Sequence, residues 1–266
     1  MPELAEVEYF RRQWHAGLGQ KILGVALHAD KRVFRGNNLE ALQRLLPGSR
    51  LIASEARGKR MLFRFSRRVW LGIHLGMTGE LRQELSGFAP GRHDHLVLSQ
   101  RAQSLVFCDP RQFGRVWFHH GETAPEWWSG QPPSVASAAF TFERMRAFLQ
   151  RHGRAPIKAV LLRQEGFPGI GNWMADEILW RAKLHPRLRT GRLAERAAQS
   201  LWRSIGFVCQ GALKTVARDY SDPPPSWLFR HRWEKGGHCP KDGTVLGRAT
   251  VAGRATAWCP KCQKLQ

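Results

Sequence analysis

The sequence predicts an α+β multidomain chain: an N-terminal β-sandwich or barrel led by a helix, a helical domain, and a small C-terminal β-hairpin that needs a staple. Three observations predict it. Apolar alternation of period two recurs up to His119. Helical spacing takes over after the Pro-, Ser- and Trp-rich stretch 122–137. Three of the five cysteines crowd beyond residue 238.

The first element is a helix. Between Leu4 and Leu18, Val7, Phe10, Trp14 and Leu18 fall at helical spacing, and Glu3, Glu6 and Glu8 supply acids where a helix N-terminus favours them. Pro2 suits a helix start, so the helix begins almost at the first residue and fixes the terminus in space. Strands follow. Met61, Phe63 and Phe65 alternate with Leu62 and Arg64 in 60–66, and Val69, Leu71, Ile73 and Leu75 with Trp70, Gly72 and His74 in 69–75. Ile22–His28, His95–Ser99, Ser104–Cys108 and Arg115–His119 read as further short strands separated by Gly and Pro clusters. Helices are predicted over Phe142–His152, Ile157–Gln164, Asn172–Ala182 and Gly191–Val208, the last with a stripe of Leu193, Ala197, Leu201 and Ile205. Asp222-Pro-Pro-Pro225 breaks the chain, giving expected domains 1–130, 131–222 and 223–266. The last is too small for a core of its own.

Charge narrows the partner. Lys and Arg number 42 against 21 Asp and Glu, a net charge of +21 with a pI near 11.1. The basic residues are spread along the chain and form no low-complexity tail, which favours a folded surface for a polyanion, nucleic acid ahead of an anionic membrane. No run is long and apolar enough to span a bilayer, and Met1-Pro2-Glu3 lacks the basic start and apolar stretch of a secretory signal, so the cytoplasm is the expected compartment.

The cysteines point to a metal. Cys108 and Cys209 read as buried thiols. Cys239-Pro-Lys-Asp242 and Cys259-Pro-Lys-Cys262 make two knuckles, and a Cys-x2-Cys spacing presents two thiolates to one tetrahedral ion. Thr244–Val251 and Arg254–Trp258 can pair between them. One structural zinc ion is expected, on Cys239, Cys259 and Cys262; the fourth ligand is Asp242, which keeps the spacing, or His238 beside Cys239.

Six segments in order then resemble the formamidopyrimidine-DNA glycosylase and endonuclease VIII family. They are Pro2-Glu-Leu-Ala-Glu-Val-Glu8, Arg57-Gly-Lys59, His74-Leu-Gly-Met-Thr-Gly79, Asp109-Pro-Arg-Gln-Phe-Gly114, Gly169-Ile-Gly-Asn-Trp-Met-Ala-Asp-Glu177 and Arg254-Ala-Thr-Ala-Trp-Cys-Pro-Lys-Cys-Gln263. Each is weak alone; together they cover nearly the whole chain. The resemblance implies a β-sandwich, a helical domain with a helix-two-turn-helix motif and a zinc-ribbon hairpin. It implies a bacterial, nucleoid-associated repair enzyme, acting as a monomer on damaged double-stranded DNA. Its activity would be that of a DNA glycosylase with AP (β/δ-elimination) lyase activity.

On the matching positions, Pro2 is the amine that forms a Schiff base once Met1 is removed. Glu3 does acid–base work on the sugar, and Lys59 reaches a phosphate and assists proton transfer. An α-amino group has a reference pKa near ~8 against ~10.4 for lysine, so a terminal amine is more readily unprotonated. Glu6 would support the lesion pocket. Met77, Arg111 and Phe113 resemble the trio that fills the space left by a flipped base, and they favour the formamidopyrimidine branch. His74, Asn172 and Arg254 are expected phosphate contacts, Asn172 at a helix N-terminus.

The chain departs from the family pattern at Ala5, where proline is usual, and at Arg163, where an acid is usual. Its segment between Asp219 and Cys239 is short, and this is the loop expected to close over an oxidised purine. Oxidised purines are the preferred expectation and oxidised pyrimidines the alternative. A catalytically silent DNA-damage binder on the same fold is the rival, though it has no need of Pro2, Glu3 and Lys59. A zinc-ribbon RNA or transcription factor leaves the N-terminal motifs without a role.

Overall fold

A computed structural model describes residues Met1–Leu265. The chain forms two compact units: Met1–Pro2 with Glu6–Gln131, and Glu3–Ala5 with the described residues from Pro132 onward. Among the described residues no helix is long and apolar enough to cross a membrane.

The first unit carries most of α1 (Leu4–Arg12), then β1 (Gly24–Leu27), α2 (Leu39–Leu45), β2 (Leu51–Arg57), β3 (Arg60–Phe65), β4 (Val69–His74), β5 (Glu80–Leu85), β6 (Asp94–Ser99), β7 (Gln103–Cys108), β8 (Arg115–His120) and α3 (Glu126–Ser129). The strands form two antiparallel four-stranded sheets, ordered β1-β6-β7-β5 and β2-β3-β4-β8. Period-two alternation turns Met61, Phe63, Phe65, Val69, Leu71 and Ile73 of one sheet and Leu81, Leu96, Leu98, Leu105 and Phe107 of the other into one core, which makes the sandwich. α1 is shorter than expected. Trp14 is buried in that core but lies beyond the helix end, with its indole N–H donating to Val106 O, and Leu18 is exposed.

The second unit holds α4 (Phe142–Arg151), α5 (Ile157–Leu161), α6 (Asn172–Ala182), α7 (Glu195–Lys214), α8 (Val216–Asp219), α9 (Leu228–His231), β9 (Gly247–Val251) and β10 (Arg254–Trp258). α7 starts later and runs further than the sequence suggested. Its buried stripe is Ala198, Leu201, Ile205, Val208 and Ala212, while Leu193 lies outside the helix. The hairpin β9–β10 has a satellite core of only six buried residues: Trp180, Leu228, Cys239, Leu246, Ala257 and Cys259. Polar anchoring supplements it. Asp176 on α6 accepts from Ala257 N (3.2 Å), from Lys158 Nζ (2.5 Å) and from Arg232 Nη2 (2.7 Å), and Lys158 Nζ donates on to Ala255 O (3.3 Å). All three charged side chains are buried, so removing one would strand the others in a low-dielectric interior.

Candidate functional site

The first unit gathers five of the sequence-predicted residues at one end of its sheets, because each sits at a strand end or in a turn. Lys59 is in the β2–β3 turn, His74 ends β4, Met77 follows in the β4–β5 connection, and Arg111 and Phe113 lie between β7 and β8. Lys59 is buried, whereas Met77 and Phe113 are 43% and 44% exposed. Arg111 Cζ stands 4.9 Å from the Phe113 ring centroid, a cation–π contact that couples the two.

Asp109, which the sequence reading left inside a motif without a role, organises this end. It is fully buried. Its Oδ2 accepts from Gly114 N (2.6 Å), and its Oδ1 accepts from Thr78 Oγ1 (3.0 Å) and Arg111 N (3.3 Å). One carboxylate therefore ties the loop bearing Met77 to the loop bearing Arg111 and Phe113. Gly76 completes the join: its φ is +65°, and a Cβ there would lie 2.4 Å from the Phe113 carbonyl carbon. Behind the loop, the buried His95 donates from Nε2 to Asp109 O (3.0 Å).

His74 Nδ1 accepts from Gly76 N (3.0 Å), which leaves Nε2 as the position for the ring hydrogen. Burial pushes its pKa down to about 4, and Lys59, Arg60 and Arg35 add to the effect. At neutral pH it is an uncharged hydrogen-bond donor among cations.

In the second unit Glu3 is buried, and its carboxylate sits on the N-terminus of α6. Oε2 accepts from Gly171 N (3.0 Å) and Met174 N (3.1 Å), and Oε1 accepts from Trp173 N (3.0 Å). Leu4 N donates to Gly169 O (3.0 Å). The residues next to Pro2 are thus pinned by four backbone bonds. Gly171 is required for the approach, because a Cβ there would lie 2.2 Å from Glu3 Cδ. Three N–H groups at the start of α6 therefore go to the Glu3 carboxylate. Glu3 complements the dipole of α6 as well as standing at the head of α1. Asn172 donates from Nδ2 to Ala255 O (2.9 Å), beside the exposed Arg254, and its buried Oδ1 has no partner. Pro2 itself is half-buried, and Glu6 is half-buried on α1.

At the hairpin, ligand atoms of Cys239, Asp242, Cys259 and Cys262 lie within 4.8 Å of one another. Asp242 belongs to this cluster; His238 is exposed and outside it. A tetrahedral ion with metal–sulfur bonds near ~2.3 Å needs ligand atoms roughly 3.5–4 Å apart, which this spacing allows. The surroundings suit thiolates: Trp180 Nε1 donates to Cys239 Sγ (3.3 Å) and Cys262 N to Cys259 Sγ (3.3 Å). Thr244 N orients the Asp242 carboxylate (3.0 Å). Cys108 and Cys209 are buried and apart from the cluster.

The segment before the knuckles is held at Trp227, Leu228 and Arg232. Trp227 and Leu228 are buried and Arg232 binds Asp176, while Tyr220–Asp222 and Pro224–Ser226 are exposed.

Two family models match the chain: the formamidopyrimidine-DNA glycosylase N-terminal domain over residues 1–116 and the formamidopyrimidine-DNA glycosylase H2TH domain over residues 131–222. A formamidopyrimidine-DNA glycosylase of Pelotomaculum thermopropionicum is 34% identical over 280 residues, covering all of both chains. One of Thermus thermophilus is 34% identical, covering 99% of this chain and 98% of its own. Among solved structures, Lactococcus lactis Fpg (MutM) in complex with DNA containing an oxidised pyrimidine superposes with a TM-score of 0.89 at 29% identity, covering 99% of this chain and 100% of that one. MutM bound to DNA containing carbocyclic 8-oxo-G gives 0.88 at 28% identity with the same coverage.

Proposed function

The chain belongs to the formamidopyrimidine-DNA glycosylase family, and from that premise we propose that it excises oxidised bases from duplex DNA and cuts the strand through a Schiff base at Pro2. The observation that carries this reading is the anchoring of the N-terminus. Glu3 is held by three backbone N–H groups and Leu4 by a fourth bond, so the residue before them has a fixed position. A structural helix start has no need of that, whereas a catalytic terminal amine does.

The chemistry follows from the residues. Removal of Met1 makes the Pro2 nitrogen a secondary amine. Its lone pair attacks C1′ of the damaged nucleoside, the glycosidic bond breaks, and the base leaves with the bonding pair and a proton. Ring opening gives an iminium, from which β- and then δ-elimination expel the two phosphates. Glu3, the acid beside the amine, exchanges protons with the sugar. Lys59 binds a phosphate next to the lesion and assists those transfers. Met77 and Phe113 enter the stack after the base is flipped, and Arg111 meets the estranged partner. His74, Asn172 and Arg254 hold backbone phosphates, His74 as a neutral donor. Residues 1–130 carry the nucleophile and the wedge, 131–222 the helix-two-turn-helix, and 223–266 the DNA-gripping hairpin. One structural zinc ion on Cys239, Asp242, Cys259 and Cys262 staples that hairpin. The enzyme acts as a monomer on nucleoid DNA, with oxidised purines preferred.

Borohydride trapping on a duplex with one abasic site tests the reading. Wild type is expected to give a covalent adduct, Pro2→Gly a reduced yield, and Glu3→Gln slower trapping. Duplex binding with no adduct from wild type sinks the enzyme and leaves the silent binder. A panel of duplexes bearing single oxidised purines or pyrimidines then ranks the lesions.

A further inference from the structure

The outer face of the sheet β2-β3-β4-β8 ends in a row of basic side chains that the site above leaves largely unused. Arg60 opens β3, His74 closes β4 and Arg115 opens β8. The register sets Arg60 opposite His74 and His74 opposite Arg115. Directly opposed residues share a face with Cβ atoms about 4.5–5.5 Å apart, so the three form one line across three strands. Trp117, two residues along β8 and on the same face, carries both guanidiniums: Arg60 Cζ lies 5.5 Å and Arg115 Cζ 5.0 Å from its ring centroid. Trp127 stacks on that indole at 5.0 Å, and its carbonyl accepts from Arg60 Nη1 (3.4 Å). Arg35 reaches the same place, donating from Nη1 to Gly114 O (3.4 Å) beside Arg115.

Arg60 and Arg115, half-buried, differ from other shielded arginines of the chain. Arg11 is paired with Glu8, Arg82 with Glu80, Glu84 and Asp94, and Arg232 with Asp176. Among the described residues, Arg35, Arg60 and Arg115 have no acidic partner, and Arg115 Nε is buried without any partner. Burial, then the charge of Arg115, lowers the pKa of both Arg35 and Arg60. Like charges gathered in this way, Arg60 and Arg115 half-buried on one indole and Arg35 exposed beside them, are destabilising alone and favourable around an anion.

We propose that Arg35, Arg60 and Arg115, with the Nε2–H of His74, form a second phosphodiester subsite that docks a backbone phosphate of the duplex other than the one met by Lys59. The subsite rests on the DNA-binding reading above. Guanidinium forks match the paired oxygens of a phosphodiester, and the neutral His74 adds a donor without adding repulsion. The stacked Trp117 and Trp127 hold the Arg60 and Arg115 forks in place before DNA arrives, which lowers the ordering cost of binding.

Salt dependence of binding to a duplex with a non-cleavable tetrahydrofuran abasic analogue tests the subsite, because each phosphate contact contributes about 0.9 to the slope of log K against log salt. Arg60→Gln and Arg115→Gln are each expected to lower the slope measurably and to weaken binding several-fold at fixed salt, and the double variant to lower the slope by about 0.9, the contribution of one phosphate. Arg115→Lys should recover most of both. Arg144→Gln, an exposed arginine on α4, removes equal charge and should leave the slope unchanged. Arg115→Gln should also melt at or above the wild-type temperature, because it relieves repulsion. Wild-type slopes in both glutamine variants, or a lower melting temperature in step with weaker binding, would overturn the subsite and make the arginines structural. Trapping by the wild-type protein is scored separately, so failure of the lyase reading leaves the slope result standing.

Discussion

Replacing Gly171 by alanine perturbs the anchoring of the N-terminus without touching Pro2, Glu3 or the charge. The φ of Gly171 is −122°, which alanine adopts freely, so the effect is one of space. The added Cβ would stand 2.2 Å from Glu3 Cδ and 2.4 Å from Oε1, and ordinary contact begins near 3.4 Å. The carboxylate must therefore retreat by about 1 Å. Its three bonds, now 3.0–3.1 Å long, lie too near the limit of hydrogen bonding to survive that together. A hydrogen bond to a charged group contributes about 1.5–3 kcal/mol, so losing two of three removes roughly 3–6 kcal/mol. For a domain of this size 1 kcal/mol moves the melting temperature by about 2–4 °C, so a fall of roughly 6–24 °C is expected by calorimetry. A misplacement of about 1 Å also costs a reaction on the order of 100-fold, so the borohydride trapping rate should fall by that order. Gly171→Ala with wild-type melting and wild-type trapping would refute the argument that Glu3 on α6 fixes the amine.

Other perturbations have equally definite outcomes. Asp109→Ala should release both loops, lowering excision from intact duplex at least tenfold while leaving trapping on a single-stranded abasic site within about twofold; equal losses on both substrates would contradict a positioning role. The His74 pKa is about 4 in the fold against 6.5 unperturbed, so the unfolded chain binds the extra proton between those values and stability falls as pH drops from 6.5 towards 4. The integrated effect is about 3 kcal/mol, and His74→Gln should flatten that part of a melting-temperature profile against pH. Asp242→Cys should strengthen zinc retention against a chelator and Asp242→Ala should weaken it, both read by metal analysis after dialysis; no difference between them would remove Asp242 from the ligand set.

Much of the fold was legible because the interior strands and α6 write their burial into the sequence. Met61, Phe63 and Phe65 alternate cleanly, and so do Val69, Leu71 and Ile73. The missed strands, β2 and β5, are both sheet edges. Leu-Ile-Ala-Ser-Glu-Ala-Arg and Glu-Leu-Arg-Gln-Glu-Leu bury few residues and show mostly polar side chains, so no periodic apolar face announces them. The start of α7 was misplaced because Leu193 packs from outside the helix and imitates its first turn, whereas Leu201 and Ile205 belong to both the inferred and the observed stripe. The site residues were legible as motifs, but their partners were not. Glu3 lies 168 residues from Gly171, and no local pattern links a first-turn acid to a distant helix N-terminus. The Asp109 carboxylate was hidden for the same reason: its bond to Thr78 spans 31 residues.

Both functional clusters are built by one device, a buried carboxylate that gathers donors from the segments it must hold. Glu3 collects three N–H groups at the start of α6; Asp109 collects two N–H groups and a hydroxyl from two loops. In each case the carboxylate lies next to a residue proposed to meet DNA: Pro2 precedes Glu3 by one peptide bond, and Arg111 donates its own N–H to Asp109. Loops and chain ends are the least ordered parts of a protein, yet wedging and nucleophilic attack need fixed geometry. A buried acid solves this where apolar packing cannot, because Met77 and Phe113 are exposed, and in the proposed reaction they enter the stack while the amine stays open to the sugar. The expected signature is a split. Changes to the two carboxylates should lower turnover on stacked, intact duplex more than binding, whereas changes to the arginine row should lower binding and its salt slope more than turnover at saturating enzyme.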